Sequence, residues 1–156
     1  ARQDSIERLR KVGLFSTCSQ RDLRKVARAA DEVTRAAGTV LIEQGDIGHE
    51  AYVILERTVA VRRNGRKVTD LGPGESVGEL SLLDRGPLTA AATVSAETDV
   101  RLLVLTARSL TGLLDESPAL ARKMLGSMAG RVRDLDRKIF GRATPGAHRF
   151  GSFHQV

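Results

Sequence analysis

A carboxylate, two hydroxyls and several glycines stand close together in the middle of the chain. The stretch is Gly78-Glu79-Leu80-Ser81-Leu82-Leu83, followed by Asp84-Arg85-Gly86-Pro87-Leu88-Thr89-Ala90. Gly78 has no Cβ, so the backbone there can approach a ligand closely. Residues 79–83 can make one or two helical turns, and the free N–H groups opening such a turn favour an anion. Glu79 can accept from a sugar hydroxyl, while Ser81 and Thr89 add hydroxyls within reach of a phosphate. Together these groups have the chemistry of an anion cradle. They also suit a surface turn with Leu80, Leu82 and Leu83 as core plugs, and on physical grounds both readings stand.

A second pattern points to nucleophilic chemistry. Gly74-Glu75-Ser76-Val77-Gly78 matches the G-x-S-x-G of a serine nucleophile elbow. That elbow needs a strand before it and a helix after it in a large α/β sheet. Here Gly72-Pro73 precedes it, and 156 residues are too few for that fold. His49 falls in a Gly-flanked turn, and His148 and His154 lie near the C-terminus, so no base is placed for a triad. No Cys/His spacing suits zinc, and no Walker-type loop occurs. No catalytic residue, metal or cofactor is expected, and the chain reads as a non-enzyme.

The elements around the cradle follow from patterning. Ser5 to Val12 has apolar residues at i, i+3 and i+6, a short amphipathic helix ending at Gly13, with Leu14-Phe15 as an apolar plug. Ser19 with Asp22 three residues later opens a second helix as a capping box. That helix buries Leu23, Val26, Ala27 and Ala30 and presents Arg21, Arg24, Lys25 and Arg28 as a basic face, read as solvent-exposed, with a partner site as the alternative. Strands are expected at 39–43, 51–55, 58–62, 66–71, 92–96 and 100–105, with Val59 and Val61 inward. Asn64-Gly65 is a hairpin signal, because both central residues of a type I′ turn need φ > 0. Helices resume near Arg108, first a short one from Ser109 to Leu114. Ser117 suits an N-cap and Pro118 the first helical position. The next helix can run to about Phe140, with Leu125, Met128, Val132, Leu135 and Ile139 stepping by 3 and 4 as an a/d stripe.

These elements predict a mostly β fold with flanking α: a small β-barrel or jelly roll, N-terminal helices, a short cassette helix and a long C-terminal helix. The barrel covers about 31–106, the C-terminal helices about 108–140, and the domain 1–140. Residues 141–156 read as a tail or linker, with Phe150 and Phe153 able to fold back over the pocket.

Gly78-Glu79-Leu80-Ser81-Leu82-Leu83 with Gly86-Pro87-Leu88-Thr89-Ala90 resembles the phosphate-binding cassette of the cyclic-nucleotide-binding domain family. That family includes catabolite-activator-type bacterial regulators and protein kinase A regulatory subunits. Leu14-Phe15, Gly38 to Ile42, Gly45-Asp46 and Tyr52 to Leu55 fall where the family has similar residues, so the resemblance spans about Ile6 to Phe140. It implies that cassette amides and a Ser or Thr hydroxyl hold a cyclic phosphate, and that Glu79 holds the ribose 2′-hydroxyl. The implied contacts are Gly78, Glu79, Leu80, Ser81, Leu88 and Thr89, with cAMP as ligand.

Two positions depart from the family. Where the resemblance implies a phosphate-pairing Arg, this chain has Leu88, and Arg85 three residues earlier is the candidate substitute. Losing one side of such a pair costs about 2–5 kcal/mol. Where the family often has Gly before the next strand, the chain has Arg57. Two functions follow: a regulatory sensor of a cyclic nucleotide, or a degenerate domain that binds none and acts in dimerisation or protein interaction.

Composition narrows the partners. The balance of 25 Lys+Arg against 19 Asp+Glu gives a net +6, suited to an anionic partner. Aromatic residues make up 3% and Trp is absent, which argues against stacking on nucleic-acid bases. Cys18 is the sole cysteine, which suits a reducing, cytoplasmic setting. No apolar run approaches the ~18 residues of a membrane span, and the N-terminus shows no apolar signal segment. The 16 residues after Phe140 are too few for a helix-turn-helix domain, so direct DNA binding by this chain is not expected. The chain opens on Ala1, so an effector domain outside it is an expectation. The 117–140 stripe packs either on the barrel or in a homodimer seam.

Overall fold

The computed structural model describes residues 2–79 and 89–140. Helix α1 (Arg2–Arg10), a 3-10 turn (Gly13–Phe15) and α2 (Gln20–Ala29) come first. Eight strands follow among the described residues: β1 (Asp31–Arg35), β2 (Val40–Ile42), β3 (Glu50–Glu56), β4 (Val59–Arg63), β5 (Arg66–Leu71), β6 (Ser76–Val77), β7 (Thr93–Ala96) and β8 (Val100–Thr106). Helices α3 (Ala107–Glu116) and α4 (Pro118–Phe140) close the order.

The strands form two antiparallel four-stranded sheets, β1-β8-β3-β6 and β2-β7-β4-β5. This is a jelly-roll arrangement of two facing sheets rather than a closed barrel. The apolar runs in β3 and β8 are continuous because both their faces are covered. One face of each sends Ala51, Val53, Leu55, Leu103 and Leu105 against the helices, where Leu9, Leu14, Phe15, Leu23, Val26, Leu110 and Leu120 meet them. The other face sends Ile54, Val100 and Leu102 between the sheets, against Val59, Val94 and Ala96. Each fully buried Leu or Ile is worth about 1.5–3 kcal/mol, so these two layers hold the sheets and helices together.

Local signals place the remaining parts. The Ser19 hydroxyl accepts from Asp22 N–H and the Asp22 carboxylate accepts from Ser19 N–H, the reciprocal capping box. Asn64 and Gly65 have φ of 53° and 80°, as a type I′ hairpin requires. In β4 both Val59 and Ala60 are buried while Val61 is only partly so; the strand is covered on both faces at its start. The Ser76 of the serine pattern lies inside β6, with Val53 as its neighbour across the ladder, and so forms no strand-to-helix elbow.

Among the described residues, the first half of helix α4 packs on the rest of the fold. Leu120 and Met124 are buried, and Met128 packs against the same core. On the same helix Leu125, Val132, Leu135 and Ile139 are 70%, 52%, 58% and 59% exposed. Of the a/d stripe, Met128 alone packs on the helical core, and the other four side chains stand largely exposed.

Candidate functional site

The two ends of the cassette meet the chain at the two ends of the β2–β3 connection: Gly78 lies close against Glu50, the first residue of β3, and Ala90 is hydrogen-bonded to Gly45 and Asp46 just after β2. At the first end Gly78 has φ +78°, and a Cβ built there would lie 2.6 Å from the Glu50 carbonyl oxygen. Only glycine fits this close approach without strain. At the second end Gly45 N–H donates to the Ala90 carbonyl and Ala90 N–H donates to the Asp46 carbonyl, both at 2.9 Å. Thr89, just before, is exposed. The loop itself is braced: Gln44 N–H donates to the Thr93 hydroxyl, and the Gln44 side chain exchanges hydrogen bonds with Asn64 at the β4–β5 turn.

Beside this frame lies a cavity of about 310 Å³ lined by Leu41, Ile42, Asp46, Ile47, Gly48, His49, Glu50 and Tyr52. It abuts the cassette, since the Ile42 Cδ1 sits 3.5 Å from where a Gly78 Cβ would stand. The volume is at the lower end of small-ligand pockets. Tyr52 fixes one wall: its hydroxyl is 3.1 Å from a Glu50 carboxylate oxygen and 3.3 Å from the Leu41 carbonyl. Burial first, and then the Glu50 charge, push its phenol up to about 12. It therefore stays a neutral donor at any ordinary pH. Among the described residues the lining contains Asp46 and Glu50 but no Lys or Arg.

Glu79 is half-buried and faces the helical layer. Its Oε2 accepts from the Leu14 N–H of the 3-10 turn at 3.4 Å. The residues just after that turn are tied to α4: the Thr17 hydroxyl donates to the Lys123 carbonyl at 3.1 Å and lies 2.9 Å from the Ser127 hydroxyl. A set of contacts thus runs from Glu79 through the 3-10 turn and the residues that follow it to α4.

Of the residues expected from sequence, Gly78, Glu79 and Thr89 are placed at the two cassette ends. Leu80, Ser81, Arg85 and Leu88 lie outside the described residues, as do the expected short cassette helix, Leu82, Leu83 and the 141–156 tail. Sequence reasoning missed the cavity wall formed by Ile47, Gly48, His49 and Glu50. Its one local signal was the Gly45-x-x-Gly48 spacing, which bends the chain back toward β3. The bond between Glu79 and Leu14 joins residues 65 positions apart and has no local signal.

Comparisons with known proteins bear on this arrangement. The family model described as the cyclic nucleotide-binding domain matches residues 32–117. The CRP-like cAMP-activated global transcriptional regulator of Mycobacterium tuberculosis is 27% identical over 138 residues, which cover 85% of this chain and 61% of that protein. The cyclic AMP receptor protein of Thermus thermophilus is 34% identical over 107 residues, covering 65% of this chain and 49% of that protein. The chain thus spans about half to three fifths of these curated relatives. The N-terminal domain of a transcriptional regulator from Streptomyces coelicolor superposes with a TM-score of 0.75 at 34% identity, covering 82% of this chain and 94% of that one. The match over residues 32–117 takes in both sheets and α3, and the chain belongs to the cyclic nucleotide-binding domain family.

Proposed function

We propose that this domain is a regulatory sensor, not an enzyme, and that its ligand is cAMP. The observation that carries the reading is that both cassette ends border the 310 Å³ cavity, Ala90 hydrogen-bonded to Asp46 and Gly78 close against Glu50, both lining residues. The names of the Mycobacterium and Thermus relatives support cAMP as the nucleotide. In this reading Gly78, Glu79, Leu80, Ser81, Leu88 and Thr89 contact the nucleotide. Arg85 takes the phosphate in place of the guanidinium that Leu88 does not supply. Ligand contact at Glu79 competes with its bond to Leu14, which biases the 3-10 turn and α4 between two arrangements. The exposed α4 stripe pairs with a second copy, and an effector outside this chain reads the change.

A thermal-shift comparison with cAMP, cGMP and AMP tests the proposal. Stabilisation by cAMP that exceeds that by cGMP, with none from AMP, supports it. Equal shifts with AMP, or no shift with any nucleotide, count against it.

A second reading has its own observation. The described lining offers Asp46 and Glu50 but no cation to a phosphate. A domain that has lost nucleotide binding and works through α4 would show that charge pattern, and it predicts no nucleotide-dependent shift at all.

A further inference from the structure

The helical layer has a second opening, which shares no lining residue with the cavity beside Gly78. It is a groove of about 580 Å³ between α2 and α3, with Lys25, Arg28 and Ala29 on one wall and Gly112, Leu113 and Glu116 on the other. Its lining is mixed, with Ala29 and Leu113 apolar and Ser109 and Ser117 polar, and its α2 rim is basic.

The charge on that rim is uncompensated. Helix α2 places Arg21, Arg24, Lys25 and Arg28 at i, i+3, i+4 and i+7, on the side away from the buried Leu23 and Val26. Among the described residues the four α2 cations meet no carboxylate. Asp22, the one acid on α2, is taken by Ser19 and Lys123. Like charges at i,i+3 and i,i+4 repel one another, so this face gains when an anionic group settles on it. Gly112 keeps the opposite wall low: a Cβ there would meet nothing within 4 Å.

We propose that the α2–α3 groove is a docking site for an acidic segment of a partner protein. Carboxylates of that segment pair with Lys25 and Arg28, and an apolar side chain rests on Ala29 and Leu113. A nucleic-acid backbone fits less well. It would bring phosphates against Glu116 on the far wall, and Ala29 and Leu113 are aliphatic where bases would want aromatic stacking. A polypeptide can instead offer Glu116 a backbone N–H.

The test is fluorescence anisotropy of the whole chain with a labelled peptide alternating Glu and Leu. A matched peptide with Lys for Glu and a short DNA duplex serve as comparisons. The proposal expects the acidic peptide alone to bind. The double variant Lys25→Glu, Arg28→Glu should weaken binding about tenfold or more. Gly112→Leu, which fills the groove without changing charge, should weaken it as well, while Arg133→Glu on α4 leaves it unchanged. Unaltered thermal melts confirm that each variant is folded. Three results would overturn the proposal: no binding of the acidic peptide, equal weakening by Arg133→Glu, or duplex binding lost in the double variant while the peptide fails to bind.

Discussion

Arg57 turns the corner between β3 and β4 with φ of 73°. An L-residue with a Cβ pays about 1–2 kcal/mol in that region. Glycine would relieve the strain, though its freer unfolded chain takes back about 0.5–1 kcal/mol. Arg57→Gly should therefore stabilise the domain by about 0.5–1 kcal/mol, read as a rise of a few degrees in Tm. A fall in Tm would mean that the Arg57 side chain contributes more than its backbone costs. This position was legible in the sequence only as a mismatch with the family pattern; the sign of φ at Arg57 needed the structure. Asn64-Gly65 was fully legible, because that dipeptide is chosen by the turn itself. Leu88 was legible as a missing guanidinium, but Glu79 bonding to Leu14 was not, since the contact exists only after the helices have packed on β3 and β8.

At the scale of elements, α4 is fixed to α2 by Lys123 and Asp22. The Lys123 bond, aided by the Ser19 bonds and opposed by burial, holds the Asp22 carboxyl below its usual 3.8. A carboxyl whose pKa is depressed on folding stabilises the fold above its unfolded pKa and loses that contribution as pH falls through the folded value. Lys123→Met should therefore lower stability near neutral pH by about 1 kcal/mol, a modest figure because Lys123 is partly solvated. The difference from the unsubstituted chain should close once the pH drops well below 3.8. Urea melts at neutral and at acid pH check this; a gap that persists in acid would show that Lys123 acts through packing of its stem. Elements whose residues are buried on both faces, β3 and β8, were found from their apolar runs. Strand β1 (Asp31–Arg35) was hidden because it is an edge strand with an exposed, charged sequence. Strand β6 was hidden because two residues carry no period. Helix α4 was found from its caps, and its stripe from the 3-4 spacing, yet spacing alone could not say whether the stripe faced the protein's own sheets.

For the whole molecule, the proposed pairing of two copies rests on that stripe. Four large apolar side chains, Leu125, Val132, Leu135 and Ile139, stand more than half exposed along one helix. Covering each is worth about 1–2 kcal/mol, enough for two copies to pair α4 against α4. Leu135→Asp with Ile139→Asp should convert a dimer to a monomer in sedimentation equilibrium, with the melting of the domain little changed because neither side chain is in the core. A wild-type chain that sediments as a monomer at every concentration would contradict this assembly.

The central claim concerns the cassette, and its most direct test is a calorimetric titration of the unsubstituted chain and of Leu88→Arg with cAMP. The account predicts binding by the first, and binding about 30-fold tighter or more by the second, as a restored phosphate–guanidinium pair would give. No heat from either protein at millimolar nucleotide would contradict it, and would leave α4 as the working surface of a domain that binds no nucleotide.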